Sequence, residues 1–333
     1  MKFQRTGKSK IHVPEELVQF VKRGSKFIIA GHKEPDGDCV GSQLALRDVL
    51  VRMGKDAVVC SAGPFKRPEI TRYASHFIIE PVEKEKLNAN LIIVDCSGRD
   101  RTGNLEKHLE GLPAAIIDHH ASGNHPPSTP EAPLFIVPDA PSCTLLVLEL
   151  ITALGLELTA NEAHLLFFGL CTDTGFFRFL DEKSSGVFEA AAKLVRAGAN
   201  PKEIHGEIHG GKNLNSRILM GRMLSRIQSF FDGRLLLTYE TLEEFGTFGL
   251  EGRDSDSLNQ LLLSVKGVEA FVIIRQEADG FCTASLRSAD KIDVSKIASS
   301  YGGGGHKNAA GLAMKETVEN IKQIMLNSFS KIF

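Results

Sequence analysis

Four short stretches carry side chains that bind divalent cations or move protons. His32, Asp36 and Asp38 fall within Gly31-His32-Lys33-Glu34-Pro35-Asp36-Gly37-Asp38, and Asp95 follows an apolar run. Asp118, His119 and His120 are consecutive, and Asp173 lies in Cys171-Thr172-Asp173-Thr174-Gly175. Singly, each has a plain structural reading: an Asp after a strand is commonly the N-cap of the next helix, and Lys33 and Glu34 read as solvated loop charges. Together, four carboxylates (Asp36, Asp38, Asp95, Asp173) and two imidazoles (His32, His119) on one sheet edge would repel strongly unless cations compensated them. Mixed carboxylate and imidazole donors suit Mn²⁺ better than the thiolate-rich sets that favour zinc, with Mg²⁺, Fe²⁺ or Co²⁺ as substitutes. Six side chains suffice for two ions sharing one carboxylate. Such a pair, about 3.5–4 Å apart, can activate a bridging hydroxide and hold both oxygens of an in-line phosphoryl displacement.

A second signal is Tyr301-Gly302-Gly303-Gly304-Gly305-His306-Lys307. A glycine run leaves backbone N–H groups unobstructed, so the chain can wrap an anion. His306 and Lys307 add donors, and Arg287, just past an expected strand, offers a bidentate phosphate contact. Gly303, Gly304, Gly305, His306, Lys307 and Arg287 are therefore the expected phosphate- or nucleotide-binding group. Other candidates have weaker support. His12, His76, His108, His125 and His164 fit no spacing pattern. His205 and His209 share a helix face with nothing beside them to complete a metal site. Arg222 and Arg226 read as a solvated face.

The elements that must position these residues follow from apolar patterning. Residues 27–30, 57–60, 91–94 and 114–117 are runs of four apolar residues, as expected for strands buried on both faces of a parallel sheet. Between the first two, residues 40–53 show helical spacing with Gly54 as a C-cap. Ligands bind beyond the carboxyl ends of the strands in such sheets, and that is where His32, Asp36, Asp38, Asp95 and Asp118–His120 fall. Helical patterns then cover 141–154, 162–170, 184–197 and 214–230. After Asp232-Gly233 strands resume at 234–239, 270–275 and 281–286, the last two joined by a hairpin turn at Asp279-Gly280. The expected class is α/β: an N-terminal open parallel sheet with helices on both faces, a helical connector, and a smaller α/β C-terminal domain with a mixed sheet. The corresponding spans are 1–212, 213–231 and 232–333.

Composition bounds the partners. The 333 residues include 39 Lys plus Arg against 41 Asp plus Glu, a net charge of −2, with 42% hydrophobic and 24% charged. These fractions fit a globular chain of two domains. They exclude the basic track that grips long duplex nucleic acid, while leaving short or small anions open. Six cysteines without a C-x-x-C pair support neither a disulfide framework nor zinc. The N-terminus lacks a hydrophobic signal-peptide region and the longest apolar stretch is too short to span a bilayer, so the expected location is cytoplasmic, away from membranes.

With these motifs in hand, the chain resembles the DHH phosphoesterase family with its DHH-associated C-terminal domain, in the stand-alone nanoRNase and pAp-phosphatase form. The motifs are G-H-K-E-P-D-G-D-C-V-G-S, V-D-C-S, I-D-H-H, C-T-D-T-G, S-L-R-S and G-G-G-G-H-K-N-A-A-G. The resemblance implies one manganese held by His32, Asp36 and Asp95, and another by Asp38, Asp95, His119 and Asp173, with Asp95 bridging. It places Asp118 behind the ligands as an orienting group and His120 against the scissile phosphate. Arg287 and the glycine-rich segment would bind the nucleotide across an interdomain cleft. Gly98-Arg99 departs from the commoner acid after V-D-x-S, which bears on substrate preference near Arg99. The implied function is hydrolysis of short oligoribonucleotides or linear dinucleotides to mononucleotides by exonuclease action, and of 3′-phosphoadenosine-5′-phosphate to AMP. Cyclic di-AMP cleavage is the alternative, followed by pyrophosphatase or polyphosphatase activity. A homodimer is compatible with the resemblance.

Overall fold

The structure is a computed structural model that describes residues 11–120 and 128–333; the N-terminal tail read for a signal peptide, through residue 10, and His125 lie outside the described residues. The chain divides into two compact units, Met1–Gly210 and Gly211–Phe333.

The first unit holds five strands, β1 (Lys26–Ala30), β2 (Asp56–Cys60), β3 (Asn90–Val94), β4 (Ala114–Asp118) and β5 (Leu134–Ile136), all parallel, in the order β2-β1-β3-β4-β5. Every apolar run expected as a strand is one. Alternation splits the sheet into two buried faces, because successive strand residues point to opposite sides. Phe27, Ile29, Ile92, Val94 and Ile117 pack under the long helices, whereas Ile28, Ala30, Leu91, Ile93 and Ile116 face the other way. On that second face Leu105 and Leu109 come from a 3₁₀ segment, Arg99–His108, and its end.

Two helices meet almost backbone to backbone on the first face. A Cβ at Gly41 of the Gly37–Arg52 helix would stand 2.5 Å from the Leu165 carbonyl oxygen. One at Gly169 of the Ala160–Asp173 helix would stand 2.4 Å from Thr144 Cγ2 and 3.0 Å from Asp38 Oδ1. Glycine permits this approach, and it brings the end of one helix to the start of the other.

The second unit has six strands, β6 (Gln228–Phe230), β7 (Leu235–Glu240), β8 (Ala270–Ala278), β9 (Phe281–Ser288), β10 (Gly304–His306) and β11 (Ala309–Met314), in the order β10-β11-β9-β8-β7-β6. Only β7 and β8 run parallel, so the sheet is mixed. The helix expected over 214–230 stops at Ser225, and residues 228–230 pair with β7 instead. Phe231 and Asp232 take positive φ and Gly233 completes the turn, which folds this segment back as a hairpin. Leu219, Met220 and Met223 of that helix pack with Leu236, Phe271 and Ile273, on one face of the second sheet. Arg226, read from sequence as part of a solvated face, instead holds both carboxylate oxygens of Glu244, which is 4% exposed.

Candidate metal centre and active site

The carboxyl ends of β1, β3 and β4 and the end of the Ala160–Asp173 helix deliver the acid–imidazole cluster. β1 runs into His32, and the Asp36 side chain caps the next helix by accepting from the N–H groups of Asp38 and Cys39, both at 3.1 Å. This is the helix-cap role that sequence alone allows for such an Asp. Asp38, the second residue of that helix, is fully buried and accepts from the backbone N–H groups of Cys143 (2.5 Å) and Thr144 (2.9 Å) and from Thr144 Oγ1 (2.7 Å). A carboxylate at the N-terminus of the Cys143–Ala153 helix is held by unsatisfied N–H groups and by the helix dipole.

Asp95 follows β3 in the left-handed region, φ 60°, and its two oxygens face opposite ways. Oδ2 lies 3.5 Å from His32 Nε2, while Oδ1 lies 3.3 Å from His119 Nε2 and 3.8 Å from His120 Nδ1. His119 Nε2 stands amid three acids: besides Asp95 it is 3.3 Å from Asp173 Oδ2 and 3.8 Å from Asp38 Oδ2. Its other ring nitrogen, Nδ1, is 3.0 Å from the Ala140 carbonyl, which fixes the ring with Nε2 turned to the acids. Asp118 is fully buried; its Oδ1 meets His120 Nδ1 at 2.7 Å and accepts the His119 N–H at 2.8 Å.

Three groups of side chains could hold an ion: His32, Cys39 and Asp95; Asp95, His119 and His120; and Asp38, His119 and Asp173. The six ligand candidates read from sequence are thus brought to one rim. Asp36 is the least direct, its Oδ1 being 3.9 Å from His32 Nε2. Cys39 was not singled out, because a buried thiol in an apolar run resembles core. His205 and His209 lie apart from this cluster, their rings 4.7 Å from each other and packed on Phe176.

In the second unit, registry sets the other expected group. Arg287 on β9 pairs with Ala309 on β11, and Ala309 pairs with His306 on β10. Cross-strand partners share a face, so Arg287 and His306 flank a methyl group on one shelf. The glycine run differs from an open loop. A Cβ at Gly303 would meet the Gly311 carbonyl oxygen at 2.3 Å, and Gly305 has φ 145°, so these glycines allow close strand packing. Gly304, Gly305, His306 and Lys307 are exposed along that edge.

The sequence matches the DHH family, N-terminal domain, over residues 26–170 and the DHHA1 domain over residues 237–331. It is 34% identical over 310 residues to the bifunctional oligoribonuclease and PAP phosphatase of Thermus thermophilus, covering 92% of this chain and 89% of that one. The chain belongs to the DHH family. A cyclic-di-AMP phosphodiesterase of Listeria monocytogenes is 24% identical over 91% of this chain, which spans 47% of that relative. Among solved structures, an exopolyphosphatase-related protein of Bacteroides fragilis aligns with a TM-score of 0.77 at 23% identity, covering 95% of each chain, a likeness of fold.

The electrostatics of this DHH site ask for cations. Burial and the neighbouring Asp95 and Asp36 push Asp173 up to about 7. Asp38 is driven well above the usual carboxylate range by burial and by facing Asp95 and Asp173. Burial opposes charge on His119, yet Asp95, Asp38 and Asp173 hold its pKa up at about 10. Asp95 Oδ1 is buried with no hydrogen bond. An orphaned carboxylate oxygen ringed by imidazoles and acids fits a hard or borderline divalent ion with oxygen and nitrogen donors. Arg99 faces elsewhere: its guanidinium binds the carbonyls of Leu109 and Leu112 and pins the 3₁₀ segment. No helix among the described residues is long and apolar enough to cross a membrane.

Proposed function

We infer that this DHH protein is a manganese-dependent phosphoesterase that hydrolyses short oligoribonucleotides and linear dinucleotides to mononucleotides, and 3′-phosphoadenosine-5′-phosphate to AMP. The observation that carries this reading is Asp95, whose two oxygens face two separate imidazole groups, a placement that lets one carboxylate serve two ions. His32, Asp36 and Asp95 would hold one ion, and Asp38, Asp95, His119 and Asp173 the other. When bound, such ions lower the pKa of water and neutralise charge developing on phosphoryl oxygens.

The chain's own residues supply the rest. Asp118 holds the His120 ring through Nδ1, leaving Nε2 to hydrogen-bond a phosphoryl oxygen or carry the leaving group's proton. His120 is half exposed and reachable by substrate. Arg287, the 303–305 glycines, His306 and Lys307 bind the nucleotide part: a guanidinium and an imidazole on one shelf recognise phosphate, and the exposed edge offers backbone donors. A short substrate presents few phosphates, so the net charge of −2 is no obstacle.

Product analysis with Mn²⁺ tests this against diadenylate, oligonucleotides of rising length, 3′-phosphoadenosine-5′-phosphate, cyclic di-AMP and pyrophosphate. Rates that fall with length and single-nucleotide products support it. A preference for cyclic di-AMP, the activity named for the Listeria relative, would replace it, as would a constant rate up to long strands.

A further inference from the structure

Two exposed imidazoles, His205 and His209, stand apart from the acid–imidazole rim, on the helix Pro201–His209. Residues four apart are neighbours on a helix surface, and here the ring centroids are 4.7 Å apart with 53° between the planes. Two imidazoles that each bind a shared ion through one nitrogen, at about 2.1 Å, have centroids roughly 4.5–5 Å apart. The rings already stand at the separation that one ion requires.

The surroundings hold the pair in this arrangement. Ile204 is fully buried and Ile208 packs on the same core, which fixes the rotation of the helix. Glu207 lies two positions from each imidazole and so does not share their face. It pairs instead with Arg72 and with His164 Nε2, the latter at 3.1 Å. Phe176 backs the imidazoles: its ring meets that of His205 edge on at 5.1 Å and that of His209 at 6.1 Å. Side chains ordered before an ion arrives lose less freedom when it binds. His209 is also the last residue of the helix, where the negative end of the helix dipole favours a cation.

Donor type says which ion. Imidazole nitrogen suits zinc, nickel and copper, whereas carboxylate oxygen suits manganese. Among the described residues, no group of three or more metal-binding side chains includes His205 or His209. The pair therefore offers two nitrogens, with water to fill the remaining positions.

We propose that His205 and His209 chelate one divalent ion of the zinc, nickel or copper class, at a surface site separate from the acid–imidazole centre. The two places sort ions by their donors, the carboxylate-rich rim favouring manganese and the imidazole pair favouring ions later in the series. This holds whether or not the phosphoesterase reading does.

Calorimetric titration of Ni²⁺ into the tag-free full chain, held in excess Mn²⁺, tests the site. Wild type is compared with His205→Ala, His209→Ala and, as a control on another exposed imidazole, His76→Ala. Exchange of ions at the acid–imidazole centre is common to all four proteins, so the difference between them isolates the pair. Alanine is the best helix former at an exposed helix position, so the two helix variants keep their fold. Removing one arm of a chelate weakens Ni²⁺ binding on the order of a hundred-fold in each of them, while His76→Ala binds as wild type does. Retention on immobilised Ni²⁺, which reaches only exposed imidazoles, falls in the same two variants. Equal Ni²⁺ affinity in wild type and both helix variants overturns the site, as does an equal loss in His76→Ala. A loss in only one helix variant reduces the contact to a single imidazole and overturns the shared ion.

Discussion

Asp118 and His120 form a buried-to-exposed relay: Asp118 Oδ1 lies 2.7 Å from His120 Nδ1, with Asp118 fully buried and His120 half exposed. The same oxygen accepts the N–H groups of His119 and His120 at 2.8 and 3.2 Å, so one carboxylate shapes the whole turn after β4.

Replacing Asp118 with Asn keeps the shape and removes the charge that fixes the His120 ring. Groups placed behind ligands in this way typically cost about 10–100-fold in activity or metal affinity when changed. The expected result is a kcat loss in that range with KM nearly unchanged. A loss confined to KM would assign His120 to substrate binding instead.

Metal removal separates charge repulsion from ligation. Asp95 sits among Asp38, Asp173 and the imidazoles, and Asn tolerates its positive φ. In chelator, Asp95→Asn should melt no lower than wild type, because a facing carboxylate is gone. Adding Mn²⁺ at about 100 times its Kd should stabilise wild type by about 2.7 kcal/mol and leave the variant nearly unmoved. Calorimetry with and without chelator reads both, and equal metal gains would remove Asp95 from the ligand set.

Gly169→Val tests the helix crossing. The added methyls have no room beside Thr144 and Asp38, and overpacking of this kind costs about 1–3 kcal/mol. Because the displaced neighbour includes Asp38, metal affinity should fall along with Tm. A fall in Tm alone would show that the Asp38 side chain is insensitive to the crossing.

Acid dependence in the second unit follows from Glu244. Burial opposes its charge, but Arg226 and the Thr241 N–H and hydroxyl hold its pKa below the ordinary value of 4.5. A depressed folded pKa adds stability above the unfolded value, and that stability is lost as pH falls through the folded one. The Tm gap between wild type and Glu244→Gln should therefore be widest above the unfolded glutamate value and close as the pH falls through the lowered folded one. A gap independent of pH would mean that packing, not charge, makes the difference.

The strands and the acid–imidazole rim were legible because two of the four-residue apolar runs end directly in Asp95 and Asp118 and a third reaches His32 one residue later. Periodicity and local chemistry coincide there. The environment of each acid was not legible. Asp38 is held by Cys143 and Thr144, more than a hundred positions away, and only the folded sheet brings them together. The glycine run was legible as an anion-binding candidate, but its packing role was not, because the crowding at Gly303 comes from Gly311 and Leu312 on a neighbouring strand. The helix ending at Ser225 shows the same limit: pairing of 228–230 with β7 outweighed local helical spacing.

The acids of the candidate metal centre enter from separate points along the chain, between Asp36 and Asp173. During synthesis, a nascent chain that has not yet exposed Asp173 carries strands, helices and most of the acids, but no complete cage for two ions. Under the proposed two-ion reading, a product truncated before Asp173 would bind divalent ions more weakly than the complete first unit.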